Sequence, residues 1–339
     1  MRRAAVQLYG PSLEKIRYLE ALRSGKSRCG GLNAGASRRV RASSICATPS
    51  HGSHAECIVA PWTGDNPASV IGVSQPGDAI LSLGTSTTFL LSTPPANNPP
   101  KRTTTSHLLA HPLQRRARIV MLCYKNGGLA RERVRGAAPR TWADFDADVV
   151  ARPPGNEGIF GFYFPEVEII PPLVQGDFFY RAVEDETPVR LDPSEVPKEA
   201  HARAILESQL LSIKARLLAI LPVHDTEDAA HHHHQVLDVP MNRLVIVGGS
   251  SINETIQQFV ADLFGIDVYV SGTKEGAALG GAVLAMRAAG VDVPELGELR
   301  KVKSPRQDVT AVYEDVVDVY RACEQKVVEQ FAQAKANAA

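Results

Sequence analysis

Apolar positions along this chain fall mostly into short continuous runs bounded by glycine or proline, and in a few stretches the spacing lengthens to three and four residues. Short bounded runs predict buried strands, and the longer spacing predicts helices with one inward face. Residues 56–60 (ECIVA) are expected as a short strand leading to a Gly64-Asp65-Asn66-Pro67 turn, with a small-residue helix starting at Ala68. Residues 79–83 and 88–91 predict two strands with Gly84-Thr85-Ser86 at the hairpin tip, and 92–105 (STPPANNPPKRTTT) a surface loop. Residues 119–124 (IVMLCY) predict a buried strand, followed by a Lys125-Asn126-Gly127-Gly128 turn and a helix from Leu129. Residues 152–156 (RPPGN) break the chain, and 158–164 predict a further strand that ends before Pro171-Pro172.

The second half is more regular. Residues 199–221 predict a long helix with Leu206, Leu210, Ile213 and Leu217 on one stripe. A strand at 244–247 (LVIV) runs into Gly248-Gly249-Ser250-Ser251 and then a helix with Ile252, Ile256, Phe259, Val260 and Leu263 inward. Ser251 and Glu254 have capping-box spacing, and Gly265 is placed to stop the helix. A strand at 266–270, a helix at 277–289 rich in alanine and glycine, and a helix at 308–335 with Val312, Val316, Val319, Cys323, Val327 and Phe331 inward complete the pattern. Strand, glycine turn, helix, strand and helix in succession define an α/β layer. No internal repeat is present.

Composition changes this picture little. Of 339 residues, 44% are hydrophobic and 22% charged, as in ordinary globular proteins, and the formal net charge is zero. That balance argues against a nucleic-acid binder. It conceals an asymmetry: residues 1–45 hold ten Lys/Arg against two Asp/Glu, leaving 27 against 35 in the remainder. The basic head (MRRAAVQLYG to RRVRASS) has the composition of an organelle transit peptide, and equally that of a poorly ordered extension. No apolar run reaches the ~18 residues of a membrane span. Cysteines 29, 46, 57, 123 and 323 are odd in number and form no C-x-x-C, which argues against a disulfide framework and for a reducing, cytoplasmic setting. The run His231 to His234 in HDTEDAAHHHHQ is read as a solvated loop.

Candidate chemistry centres on turns. Gly84-Thr85-Ser86 behind a strand, and Gly248-Gly249-Ser250 before a helix, can each cradle a phosphate through backbone N–H groups and hydroxyls. Taken alone, each is more often a plain structural turn. Asp65 is a candidate base or simply a turn-former. Trp142 in TWADF reads as a half-buried anchor. There is no G-x-G-x-x-G, no G-x-x-x-x-G-K-[ST] and no H-E-x-x-H, so dinucleotide, P-loop and zincin chemistry lack support.

In order, GDNPAS, SLGTSTTF, MLCYKNGGLARERVR, TWADF, GFYFPEVEIIP, ARAILESQ, VGGSSINETIQQFVADLFGIDVYV and AALGGA resemble FGGY-type carbohydrate kinases, and YKNG, GFYF and GDNPAS resemble their eukaryotic xylulokinase branch. The resemblance spans about residues 55–330. It implies an actin-like, ribonuclease-H-like ATPase fold and the phosphorylation of D-xylulose by ATP with Mg²⁺. It also implies that Asp65 takes the proton of the sugar hydroxyl and that Asn66 touches the sugar. Gly84, Thr85 and Ser86 resemble the phosphate hairpin, Gly248, Gly249, Ser250 and Asn253 the adenosine motif, and Trp142 a nucleotide-contacting tryptophan.

Departures accompany the likeness. Family members carry a domain ahead of the GDNP turn with a D-x-G-T phosphate loop, and no D-x-G-T occurs here. Ser250 stands where the family turn has a third glycine or alanine. The expected organisation is therefore a non-homologous head at 1–54, a remnant of the first domain at 55–75 and an actin-like nucleotide-binding domain at 76–335. A catalytically incomplete nucleotide binder, or a kinase for another sugar or polyol, are the alternatives. The remnant's Ile58, Val59, Val70 and Ile71 are expected to form an exposed apolar patch.

Overall fold

Runs of β-branched and large apolar residues pair with one another when both faces of the resulting sheet can be covered. That is the arrangement in the computed structural model, which describes residues 40–41, 58–59, 63–95, 99–183, 187–227, 233–293 and 298–337. The first half contains α1 (Asp65–Val73), β1 (Asp78–Leu83), β2 (Thr87–Thr93), β3 (His107–Ala110), β4 (Arg118–Tyr124), α2 (Gly128–Arg135) and α3 (Trp142–Ala151). Next come β5 (Ile159–Phe164), β6 (Gly176–Arg181), β7 (Val189–Arg190), the long α4 (Ala200–Ile220), β8 (Val223–Glu227) and β9 (His233–Leu237). The last elements are β10 (Arg243–Val247), α5 (Glu254–Phe264), β11 (Val268–Ser271), α6 (Gly276–Ala289), β12 (Leu299–Lys303) and α7 (Gln307–Asn337).

A seven-stranded sheet runs in the order β12-β11-β10-β1-β2-β4-β3. β1, β2 and β4 form an antiparallel meander, with Leu83 opposite Thr87 and Thr87 opposite Tyr124. On the other side of β1 the pairing turns parallel, with Val247 beside Ser82, and β11 continues parallel to β10. β1, β4 and β10 therefore all point the same way, and the turns that follow them leave the sheet at one edge. That edge, at the carboxyl ends of parallel strands, is where α/β sheets place their sites.

Most of α4 is buried, 17 of its 21 residues, the predicted stripe included, and the four that are not, His201, Gln209, Arg216 and Ala219, share another side. Its polar residues go in with partners. Glu207 accepts from the Gly155 N–H at 2.9 Å and from the Tyr313 hydroxyl at 3.1 Å, with Arg203 at 3.5 Å. Lys214 reaches Glu314 at 2.7 Å. Burial pushes the Glu207 carboxyl up to about 7, while Arg203 pulls the other way.

Three expectations need correction here. Val312 and Val319 are exposed at 37% and 36%; the inward face of α7 keeps Cys323 and Val327 as expected and adds Tyr313, Val317 and Tyr320. Tyrosines can line that face because their hydroxyls find acceptors, Glu207 for Tyr313 and Glu324 for Tyr320 at 2.8 Å. His233 and His234 lie in a strand, β9, paired with β8, not in a loop. The predicted loop at 92–105 starts later, since Ser92 and Thr93 close β2 and are buried.

The described residues divide into two compact units, one holding α1, residues 110–116 and α6, the other the sheet and the remaining helices. In the first unit, α1 lies against α6 through glycine. A methyl at Gly280 would fall 1.8 Å from the Ala68 carbonyl oxygen, and one at Gly72 would fall 2.2 Å from that of Gly276. Val70 and Ile71 are 3% and 5% exposed, so the expected exposed patch is not formed by them. The helix packing that the small residues allow covers this part of the chain. Ile58 and Val59 pair in a short ladder with Arg41 and Val40. The side chains of Ile58 and Val59, the rest of the basic head and the ends of the predicted 56–60 strand lie outside the described residues.

Two outcomes are expected. Gly280→Ala forces the helices apart and should lower stability in urea unfolding by about 1–3 kcal/mol; an unchanged midpoint would mean that α1 and α6 do not approach this closely. Because the folded-state pKa of Glu207 lies above its ordinary value of 4.5, the native state holds that proton more tightly. The stabilisation is complete below pH 4.5 and is lost as pH rises through about 7. Glu207→Gln should therefore flatten the stability profile across this window, and an unaltered slope would contradict the assignment.

Candidate functional site

At the shared edge of β1, β4 and β10, the turns touch backbone to backbone. The Gly127 N–H donates to the Thr85 carbonyl at 3.1 Å and the Gly128 N–H to the Gly84 carbonyl at 2.8 Å. A methyl at Gly127 would lie 2.6 Å from the Ser86 carbonyl carbon, and one at Gly128 would lie 2.7 Å from the Gly84 oxygen. Gly248 has φ +90° and ψ 178°, a region essentially reserved for glycine, and its missing Cβ would meet the Leu83 carbonyl carbon at 2.9 Å. Gly249 differs: nothing lies within 4 Å of its Cβ position, and Thr85, Ser86 and Gly249 are exposed. One face of this glycine floor is thus closed by backbone, and the other is open and carries hydroxyls.

Buried and half-buried polar side chains hold the floor from beneath. Glu168 accepts from the backbone of Lys125 at 2.7 Å and Asn126 at 3.0 Å and from the Asn126 side chain at 2.8 Å. Gln209, on α4, donates to the carbonyls of Asn126 at 2.8 Å and Gly127 at 3.2 Å. Arg131, on α2, donates to Gln209 at 2.7 Å and reaches the Ser250 hydroxyl oxygen at 3.4 Å. Burial lowers the Arg131 guanidinium to about 10, which leaves it charged at neutral pH.

The entry to α5 departs from expectation. Its cap is Asn253, whose Oδ1 accepts from the Ile256 N–H at 2.8 Å. The glycine turn continues as a 3₁₀ turn over Gly249–Ile252, so the helix starts too late for a Ser251–Glu254 box, and Glu254 pairs with Lys303 at 3.0 Å. For the same reason Ile252 is 83% exposed rather than inward. Gly265 ends α5 in the left-handed conformation, as expected. The Asn253 amide donates to both oxygens of Asp146 at 2.9 Å, tying α5 to α3. Trp142, four residues before Asp146, lies on the same side of α3. It is half-buried, edge-on to Phe145 at 5.4 Å, with Arg135 over its ring at 5.2 Å.

Gly84, Thr85, Ser86, Gly248, Gly249 and Ser250 are therefore brought together directly, and Asp146 ties Asn253 to the helix that carries Trp142. Asp65 and Asn66 belong to the other compact unit. Helix α1 already includes them: Asp65 is exposed, its Oδ1 accepts the Asn66 N–H at 2.8 Å, and its carbonyl accepts the Ser69 hydroxyl at 2.9 Å. Sequence reasoning missed Arg131, Glu168 and Gln209. The available signal was a charged or amide residue inside an otherwise apolar or glycine-rich segment, as in GGLARER, EVEII and ILESQLL.

Residues 79–289 match the model of the C-terminal domain of the FGGY family of carbohydrate kinases. The chain is 34% identical over 233 residues to a probable D-xylulose kinase A of Arthroderma otae, covering 62% of this chain and 38% of that protein. It is 34% identical over 242 residues to xylulose kinase 2 of Arabidopsis thaliana, covering 68% and 39%. The matched stretch thus spans about two-fifths of these relatives. Among solved structures, a xylulose kinase from Lactobacillus acidophilus superimposes with a TM-score of 0.65 at 16% identity, covering 83% of this chain and 54% of its own. A xylulose kinase from Bifidobacterium adolescentis gives 0.57 at 23% identity, covering 78% and 48%. These structures share the actin-like ATPase fold, which is the fold of this sheet and its helices. The chain belongs to the FGGY family of carbohydrate kinases.

The two glycines of the third turn should behave oppositely. Gly248→Ala, strained in φ and crowded by Leu83, should cost about 1–3 kcal/mol in thermal or urea unfolding. Gly249→Ala should leave the midpoint unchanged. Equal effects at both positions would contradict this geometry.

Proposed function

We propose that the chain binds ATP at the open face of the glycine floor and serves transfer of its γ-phosphoryl group to D-xylulose, giving D-xylulose 5-phosphate and ADP. The observation that carries the nucleotide reading is the convergence of three glycine turns on one sheet edge, with Gly249 open and the Thr85 and Ser86 hydroxyls exposed beside it. The family supports a sugar kinase, and the names of the relatives at 34% identity support xylulose.

Gly84, Thr85 and Ser86 would bind phosphate oxygens, Gly248, Gly249, Ser250 and Asn253 would frame the adenosine side, and Trp142 would bound the nucleotide. ATP supplies the phosphoryl group and Mg²⁺ neutralises its charge. Hydroxyls and backbone around the turns suit a hydrated ion brought in on the phosphates, since Mg²⁺ keeps several of its waters. In the transfer, the sugar oxygen bonds to the γ-phosphorus as the bond from that phosphorus to the β-bridging oxygen breaks. Asp65 would take the hydroxyl proton and Asn66 would orient the sugar. Five cysteines without a C-x-x-C pair favour a cytoplasmic setting. Among the described residues, no helix is long and apolar enough to cross a membrane.

A second reading, nucleotide binding without transfer, is favoured by one observation: the glycine turns belong to one compact unit and Asp65 to the other. Calorimetric titration with Mg-ADP and a coupled assay with D-xylulose separate the two. Binding with turnover lost in Asp65→Ala supports the kinase, and binding without turnover supports the second reading. For either, Gly249→Ala should weaken Mg-ADP about tenfold or more, because a methyl enters the contact surface. Wild-type affinity in that variant would remove the glycine floor from the site.

A further inference from the structure

Arg131 is 1% exposed. Other buried or nearly buried cations of the chain have carboxylate partners: Arg203 has Glu207, Lys214 has Glu314, Arg216 has Glu324 and Arg152 has Glu157. Arg131 has none. Its Nη1 donates to the neutral Gln209 amide, its Nη2 only reaches Ser250 at 3.4 Å, and its Nε has no partner. The one acid that contributes attraction is its chain neighbour Glu132, which is exposed. An unpaired charge held in the interior is costly and persists where another group supplies the opposite sign.

Its position says where that group arrives. Nη2 is 3.7 Å from the Cβ position of Gly128 and points to Ser250, so the charge lies directly under the turns at 127–128 and 248–250. Ser250 accepts from the guanidinium, which leaves its own O–H to donate outward. A hydroxyl that accepts a charge-assisted bond is a stronger donor. We infer that Arg131 is a positioning residue for phosphate: it orients the Ser250 hydroxyl toward an anion on the open face and completes its own charge balance with that anion. This gives a role to the serine that stands where the family turn has glycine or alanine, and it rests on the nucleotide reading above.

The test uses the full chain and titrates ADP and adenosine at two salt concentrations, for the wild type and for Arg131→Met, Arg131→Lys and Ser250→Ala. Arg131→Met should weaken ADP about tenfold or more and leave adenosine unchanged, with a flatter salt dependence. Arg131→Lys, which keeps the charge without the fork, should fall between Arg131→Met and the wild type. Ser250→Ala alters a half-buried hydroxyl and should weaken ADP several-fold, and adenosine distinctly less. Equal loss of ADP and adenosine in Arg131→Met would show that Arg131 only holds the fold, and would overturn the inference. If Arg131→Met does not fold, Ser250→Ala decides: wild-type ADP affinity there overturns it. A wild-type chain that binds neither ligand contradicts the nucleotide reading itself, an outcome distinct from failure at Arg131.

Discussion

Backbone can lie as close to backbone as it does at the edge of this sheet only where side chains are missing. Gly127 and Gly128 hydrogen-bond the tip of the β1–β2 hairpin, and Gly248 rests on the end of β1 in a conformation other residues avoid. Everything else about the site follows from that contact. The sheet topology sends three turns to one edge, and the glycines let them merge into a continuous surface. What is left on the open side is a row of hydroxyls and Gly249.

A floor of backbone is useful only if it is rigid, and its rigidity comes from polar groups that have lost their water. Glu168 and Gln209 come from different parts of the chain and converge on Asn126 and its turn. Each is satisfied by groups that cannot move without breaking several bonds together, so the turn is positioned before any ligand arrives. The first unit uses glycine for a different end: Gly72 and Gly280 bring two helices into contact and expose no open surface between them.

Much of this was legible from residue order. Glycine punctuation marked all three turns, and the apolar runs marked β1, β2, β4 and β10, because local chemistry decides both. The misses share a cause, which is burial contributed by distant elements. Arg131, Glu168 and Gln209 look like surface residues until the elements around them are assembled. Helix α4 buries far more than the stripe its sequence marks. On α7, Tyr313 and Tyr320 displace Val312 and Val319 from the inward face because acceptors, Glu207 on α4 and Glu324 one turn along α7, satisfy their hydroxyls. At α5, the cap moved from Ser251 to Asn253 because the glycine turn spends an extra 3₁₀ turn reaching the helix.

Membership in the FGGY carbohydrate kinases rests on residues 79–289, and the site drawn from those residues lies within one compact unit. The central claim is that the open side of the glycine floor receives phosphate. Amide hydrogen exchange resolved by residue, with and without saturating Mg-ADP, addresses it most directly. The account predicts slowed exchange at 84–86 and 249–250 on ligand addition, with the already bonded 127–128 amides little changed. Unaltered exchange at both segments while ADP is bound would place the nucleotide elsewhere and contradict the account.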